Sequence, residues 1–268
     1  MKKLALILVI VLAGLPALAD EDCAACHRPQ AEEFARTAMA RAASTATFLK
    51  EWAEAKSDKA CLTCHSPLGG AGIACRDCHG GGHPYAAVAV PDVCARCHDA
   101  PGESTVRMFK TSLAARNGAT CLDCHLEAGG GHHAFRGASD PTFLRNVATV
   151  QLALTDGRLI VSMRHTAGHS LPGGTTGRAV WLVLSGLSAS GEHVWEERHR
   201  FGWRNDGQGW QDHSLAPDVA SMVEVEAPQR NGATSVEARL LYGRQPGSKP
   251  NRGGLGLEEL SKATMVLP

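Results

Sequence analysis

The chain has 268 residues, of which 44% are apolar and 5% aromatic, and its 27 basic residues balance its 27 acidic ones. This length suits one large domain or two modest domains with a real hydrophobic core. A formal net charge of +0 excludes the strongly basic composition that is typical of nucleic-acid-binding proteins.

The first 19 residues predict a cleavable secretory signal. Two lysines precede an apolar run at positions 4–15, and Ala17-Leu18-Ala19 supplies a small-x-small end. The alternative is a transmembrane anchor, but the apolar run is shorter than the roughly 20 residues that span a bilayer. We therefore expect a mature chain that begins near Asp20, has no membrane span and lies in the periplasm or outside the cell.

All ten cysteines occur in five Cys-x-x-Cys pairs, and a histidine directly follows each pair. In this signature each thiol adds to a vinyl group of a porphyrin, and the adjacent imidazole binds the iron. The pattern therefore predicts five covalently attached haem c groups. The attachment residues are Cys23, Cys26, Cys61, Cys64, Cys75, Cys78, Cys94, Cys97, Cys121 and Cys124, and the proximal ligands are His27, His65, His79, His98 and His125.

Zinc ribbons and a disulfide framework are the two alternatives for this cysteine pattern. Zinc ribbons also use Cys-x-x-Cys pairs, and exported proteins commonly carry disulfides. Neither alternative requires a histidine after every second cysteine, so both explain the sequence less completely than haem attachment does.

The segment from Gln30 to Lys56 has few helix breakers, and its large apolar residues recur at helical spacing. We expect one or two helices there that pack against the first haem. Met39 lies on this segment and is a candidate distal ligand, because thioether sulfur binds haem iron. Its alternative role is that of a core methionine that fills space against the macrocycle.

Motifs II and III are separated by nine residues, Ser66 to Ala74, that contain one proline and three glycines. Such a short, turning connection predicts that haems II and III lie side by side. Three glycines, Gly80 to Gly82, then lead to His83 and suggest backbone that runs close to a flat ligand. His83 is therefore a candidate distal ligand, and we expect it to serve a neighbouring haem rather than its own.

A helix is predicted from about Glu103 to Asn117, between motif IV and motif V. After motif V a glycine-rich loop reaches His132 and His133. Adjacent side chains on extended backbone point in opposite directions, so we expect only one of this pair to bind iron.

Beyond Pro141 no cysteine remains, and alternating apolar and polar residues predict a small β-sandwich. A turn is expected at Asp156-Gly157, and the segment from Asn205 to Gln211 is predicted to be a loop. A glycine-rich loop at positions 164–178 carries His169, a candidate distal ligand, and His165, a weaker one. Strands are predicted at 147–152, 159–161, 179–184, 193–201, 222–225, 235–242 and 264–267.

These elements predict an α+β fold with three segments. Residues 1–19 form the signal, residues 20–143 form a helical, loop-rich pentahaem domain, and residues 144–268 form the antiparallel β-sandwich domain.

Several motifs resemble those of a known family. The stretch from Cys61 to Pro67, followed by Gly72 to Gly80 and His83, is similar to multihaem cytochromes c related to the tetrahaem cytochrome c carrier of nitrifying bacteria. The segments Cys121 to His125, His133 to Gly137 and Ala167 to Pro172 are similar to longer members that carry a C-terminal β-sandwich. This resemblance covers nearly all of the mature chain.

The resemblance implies stacked haems whose irons mostly have two histidine ligands. It also implies that His83, one of His132 and His133, and His169 are distal ligands. In relatives the position of Met39 carries histidine or methionine, so the transfer of that ligand is less direct.

Electron transfer is the function that these features predict. If protein ligands fill all axial positions, no iron can bind a small molecule, and the protein is an electron carrier rather than an enzyme. The expected partners are other cytochromes or a membrane quinol-oxidising complex, and an oligomeric assembly is compatible with a docking role for the sandwich. The alternative is an oxidoreductase with one open haem that acts on a small nitrogen or sulfur oxyanion.

Overall fold

A computed structural model describes residues 21–80, 88–100, 102–126, 133–145, 147–174, 177–245, 247–251 and 257–268. The predicted signal, His83 and His132 lie outside these residues. The described residues form two compact units, one before position 87 and one after it. Within the described ranges, no helix has the length and apolar character needed to cross a lipid bilayer.

Short helices make up the first part of the chain. The described helices are α1 (Glu21–Cys26), α2 (Arg28–Ala35), α3 (Ala46–Glu54), α4 (Leu62–His65), α5 (Cys75–His79), α6 (Asp92–His98), α7 (Thr105–Thr111), α8 (Leu113–Arg116), α9 (Cys121–His125) and α10 (Pro141–Leu144).

In the first unit, the expected helical segment is divided into α2 and α3 by a 3₁₀ turn at Met39–Arg41. Thr45 begins α3, because its hydroxyl accepts a hydrogen bond from the backbone N–H of Phe48 at 3.2 Å. The apolar side chains of Phe34 and Phe48 are buried, as their spacing predicts. These two helices therefore supply the apolar packing of this small unit.

The prediction of one helix from Glu103 to Asn117 is wrong in one respect, because the structure has two helices in this segment. Ser112 lies between α7 and α8 with extended backbone, φ −75° and ψ 162°. Its hydroxyl accepts a hydrogen bond from the N–H of Ala115 at 3.2 Å and so caps the start of α8. A serine that can cap a new helix competes with continuation of the old one.

The second half consists of strands, as predicted. They are β1 (Ala148–Thr155), β2 (Arg158–His165), β3 (Ala179–Leu187), β4 (His193–Phe201), β5 (Trp203–Asn205), β6 (Trp210–Asp212), β7 (Ser221–Glu226), β8 (Ser235–Gly243) and β9 (Glu258–Val266). The predicted loop at Asn205 to Gln211 is wrong at its ends, since β5 and β6 form a short hairpin around residues 206–209.

Two antiparallel sheets form the sandwich, with strand orders β1-β2-β7 and β4-β3-β8-β9. The predicted turn between β1 and β2 is confirmed: Asp156 and Gly157 have φ values of 51° and 75°, as a two-residue type I′ hairpin requires. Side chains from both sheets, including Val161, Leu182 and Leu240, share one core and are 0% exposed. The fold class is α+β.

The change from helices to strands occurs between α10 and β1, near the predicted domain boundary at residues 143 and 144. The residues from 88 onward and the sandwich belong to the same compact unit. Within it, the N–H of Leu113 at the start of α8 donates to the Asp218 carboxylate at 2.6 Å, and the Arg244 guanidinium donates to the Ser139 carbonyl at 3.3 Å. The sandwich and the helices of motifs IV and V therefore fold as neighbours.

Candidate haem-binding sites

Each Cys-x-x-Cys-His motif lies on or directly at the end of a short helix, namely α1, α4, α5, α6 and α9. Helical spacing brings the two cysteines and the histidine of a motif to one side of a single turn. None of the ten cysteines is buried. Each motif therefore presents two accessible sulfur atoms and one imidazole together, which is the donor set that covalent haem attachment needs.

An aspartate within the motif fixes the start of two of these helices. The Asp77 carboxylate accepts the backbone N–H of Ala74 at 2.7 Å, before motif III. At motif V the Asp123 carboxylate accepts both the backbone N–H of Thr120 at 2.6 Å and its hydroxyl at 2.8 Å. Hydrogen bonds from Thr120 hold the pKa of the Asp123 carboxyl below its usual value. The residues between the cysteines thus help to hold the motif in its helical turn.

The histidine of motif II is oriented by residues distant in sequence. The Nδ1 atom of His65 lies 2.9 Å from the carbonyl oxygen of Ala42. Phe48 packs on the imidazole, with ring centroids 4.4 Å apart and planes 26° from parallel. A hydrogen bond at Nδ1 leaves Nε2 as the metal-binding atom.

The segment that supports His65 is the one that carries Met39. The N–H of Ile73 donates to the Met39 carbonyl at 2.9 Å, and the N–H of Ala43 donates to the Ala71 carbonyl at 2.9 Å. A Cβ added at Gly72 would lie 2.4 Å from the Met39 carbonyl oxygen. This close backbone contact explains the glycine. The segment from Met39 to Ala43 therefore packs against the loop before motif III and supplies the Ala42 carbonyl that faces Nδ1 of His65.

The histidine of motif V has the same arrangement. Its Nδ1 atom lies 2.8 Å from the carbonyl oxygen of Arg136, and Phe143 packs beside the ring at a centroid distance of 5.3 Å. His133 lies three residues before Arg136, on the chain segment that approaches the Nδ1 side of His125. The described member of the predicted pair, His133, is thus attached to this supporting segment.

His169 lies opposite His125. The two ring centroids are 6.2 Å apart and the ring planes are within 10° of parallel. A metal between two imidazoles needs a bond of about 2 Å on each side plus the half-widths of the rings, or about 6 Å between centroids. The Nδ1 atom of His169 lies 2.9 Å from the Ser170 carbonyl oxygen, so its Nε2 remains for a metal, as it does in His125.

The loop that carries His169 is tightly packed. Gly168 has φ +69°, and a Cβ added there would lie 3.3 Å from the Cβ of Ala114 on α8. A Cβ added at Gly173 would lie 3.0 Å from Cε1 of His169. Burial, together with the nearby charge of His125, lowers the pKa of His169 to about 4. The ring is therefore neutral at neutral pH, which is the form that binds metals.

His165, the last residue of β2, has both ring nitrogens engaged. Its Nε2 lies 3.1 Å from the Leu215 carbonyl oxygen, and its Nδ1 accepts the N–H of Ala167 at 3.4 Å. Burial lowers its pKa. His165 therefore supports the base of the loop that carries His169. The sequence alone does not distinguish this structural role from the role of a ligand.

Motifs IV and V approach each other through their first cysteines. The thiol of Cys94 hydrogen-bonds the thiol of Cys121, and this contact lowers the pKa of Cys121 to about 7. Cys94 is the first cysteine of motif IV, and Cys121 is the first cysteine of motif V. The attachment points of two predicted haems therefore adjoin.

No family model and no curated protein matches the sequence. Among solved structures, a penta-haem cytochrome c552 from Thermochromatium tepidum superposes with a TM-score of 0.68 and 16% identity, over 93% of this chain and 99% of that chain. The chain has the fold of a penta-haem cytochrome c. A hypothetical protein from Pyrococcus horikoshii matches 46% of this chain and 88% of its own, with 10% identity and a TM-score of 0.24, which is too low to support an argument.

The motifs do not predict the residue that faces Nδ1 of His98. Nδ1 of His98 in motif IV faces a carboxylate, Glu103, at 3.5 Å, where His65 and His125 face carbonyls. Burial raises the pKa of Glu103, but its contacts with His98 and Thr105 and the charge of Arg178 hold it below its usual value overall. His27 and His79 end the helical turns of motifs I and III, as their motifs predict.

Proposed function

We propose that this protein is an exported pentahaem c-type cytochrome that transfers electrons between redox partners. The observation that carries the proposal is the facing pair His125 and His169, whose separation suits one iron between two imidazoles. An iron held by two protein ligands changes its charge with little structural change. This coordination favours an electron carrier over an enzyme, which needs an open iron.

The five Cys-x-x-Cys-His turns would each hold one haem c. Their cysteines would provide two thioether links, and their histidines the proximal ligand. Haem held in this way would supply one-electron redox chemistry between a donor and an acceptor protein. The polypeptide orients the proximal imidazoles through their Nδ1 atoms, as it does at His65 with Ala42 and at His125 with Arg136.

Four distal ligands are proposed. His169 would complete the iron of motif V. His133 is carried by the segment on the Nδ1 side of His125, so the one ligand from His132 and His133 would serve a different iron. The same reasoning applies to Met39, which is carried by the segment on the Nδ1 side of His65 and would serve an iron other than that of motif II. His83 is the remaining candidate and would bind a neighbouring haem rather than the haem of its own motif.

The contact between Cys94 and Cys121 supports close electronic communication between haems IV and V. Export rests on the predicted signal at positions 1–19 and on the oxidising compartments in which c-type haem is attached. The partners would be other cytochromes or a membrane quinol-oxidising complex. The longer, sandwich-bearing relatives of the tetrahaem carrier of nitrifying bacteria are the proposed family.

The first test is the haem content and spin state of the purified, exported protein. Peptide mass spectrometry should show one haem on each of the five motifs, and N-terminal sequencing should give a start near Asp20. EPR of the oxidised protein should show low-spin irons. A stoichiometric high-spin iron whose signal changes on addition of nitrite or hydroxylamine would contradict the carrier function and favour the oxidoreductase.

A further inference from the structure

Among the three proximal histidines whose Nδ1 contacts are described above, that of motif IV differs in the charge of its partner. His65 and His125 face neutral carbonyl oxygens of Ala42 and Arg136. His98 faces the Glu103 carboxylate, with 3.5 Å between Nδ1 and Oε1. The partner of Nδ1 in His98 is therefore a carboxylate, which can carry a negative charge, whereas the partners in His65 and His125 are neutral.

Glu103 is held in place by its own contacts. Its side chain is only 14% exposed. The hydroxyl of Thr105, in the first turn of α7, donates to the same Oε1 atom at 2.7 Å. Its contacts with His98 and Thr105 and the charge of Arg178 favour the ionised form of this carboxyl. The carboxylate is therefore a fixed, poorly hydrated charge beside the imidazole.

We propose that Glu103 is a positioning residue that lowers the reduction potential at motif IV. A negative charge 3.5 Å from Nδ1 of a ligating histidine stabilises the oxidised, more positive iron by electrostatic attraction. The surroundings of the axial ligand are one of the levers that set haem potentials. Reduction there adds one electron from the donor partner, and no bond forms or breaks.

The consequence concerns motif IV alone. With a charged partner at His98, the group at motif IV would be harder to reduce than it would be with a neutral partner such as those at His65 and His125. This inference rests on the proposed haem at motif IV.

The test is a spectroelectrochemical titration of the holoprotein and four variants. In Glu103→Gln, the potential at motif IV should rise, with about a tenfold change in the reduction equilibrium constant, or about 59 mV for one electron. In Thr105→Val, Oε1 loses its competing donor and becomes a stronger acceptor, so the same potential should fall by a smaller amount. A purely structural role for Glu103 would not produce shifts of opposite sign.

Asp92→Asn is the matched control. Asp92 lies on α6 close to Cys94, but its exposed carboxylate pairs with Lys110 at 3.2 Å rather than with His98. Removal of this charge should leave the potential at motif IV nearly unchanged, because solvent screens it. The component of motif IV is identified as the one that a His98→Met variant moves upward, since a thioether ligand raises the potential.

Two results would overturn the inference. One is an unchanged potential at motif IV in both Glu103→Gln and Thr105→Val. The other is an equal shift in Glu103→Gln and Asp92→Asn, which would indicate a general charge effect. A wild-type peptide without haem on Cys94 and Cys97 would instead overturn the proposed function, and this result is obtained by mass spectrometry independently of any potential.

Discussion

His125 and His169 face each other across 6.2 Å with ring planes within 10° of parallel, although 44 positions of sequence separate them. His125 ends the helix of motif V, and His169 lies on a loop of the β-sandwich. Each ring has its Nδ1 atom against a backbone carbonyl, so the backbone orients both rings. The sandwich thus contributes directly to a candidate haem site.

Replacement of His169 by alanine should remove one of ten axial ligands and leave its iron five-coordinate. We expect about one fifth of the oxidised irons to become high-spin in EPR, and added imidazole should restore the low-spin state. The control is His165→Ala, which lacks both hydrogen bonds at the base of the loop. This control should lower stability while the spin state of the folded protein stays the same. An unchanged His169→Ala spectrum would remove His169 from the ligand set.

Gly173→Ala should displace the His169 ring without removing it. The added Cβ would lie 3.0 Å from Cε1 and 3.1 Å from Nδ1 of the imidazole, which is too close for either to remain in place. Overpacking of this kind costs about 1–3 kcal/mol. A partial, temperature-dependent high-spin signal is therefore expected by variable-temperature absorption spectroscopy. Gly137→Ala is the control, because a Cβ there meets nothing within 4 Å and no positive φ is required. Equal effects of the two substitutions would contradict the proposed role of Gly173.

The motif and strand patterns predicted much of this fold. Five Cys-x-x-Cys-His turns and the principal strands follow from local spacing, which depends on neighbouring residues only. The break at Ser112 was not predicted, because a capping serine and a helical serine look alike in sequence. The partner of His98 was not predicted either. Glu103 follows it by five residues, but only the path of the intervening turn brings the carboxylate to Nδ1.

The pairing of His125 with His169 was predicted only in part. Their residue types and the resemblance suggested that His169 is a ligand, but nothing in the sequence assigns it to motif V. That assignment depends on the packing of Gly168 against α8, a contact between the sandwich and a helix. Long-range packing therefore decides which histidine meets which motif.

Gly72→Ala should destabilise the first unit and disturb motif II. The new Cβ would lie 2.4 Å from the Met39 carbonyl oxygen and 2.5 Å from backbone atoms of Ala40, and backbone cannot rotate away as a side chain can. We expect a loss of about 1–3 kcal/mol in the free energy of unfolding. Since residues 39–42 support Nδ1 of His65, the potential of one haem should shift as well. Chemical denaturation and potentiometric titration measure the two effects, and Gly137→Ala again serves as the control.

Leu240→Ala should show that the spin state at motif V depends on the stability of the sandwich. The side chain of Leu240 is 0% exposed and lies between the two sheets, so its truncation should cost about 2–5 kcal/mol. In a thermal melt, the loss of strand circular dichroism and the appearance of one high-spin iron should occur together and at a lower temperature than in the unsubstituted protein. The reason is that His169 reaches His125 only while the sandwich is folded. If the strands melted while all irons stayed low-spin, the distal ligand at motif V would have to come from outside the sandwich.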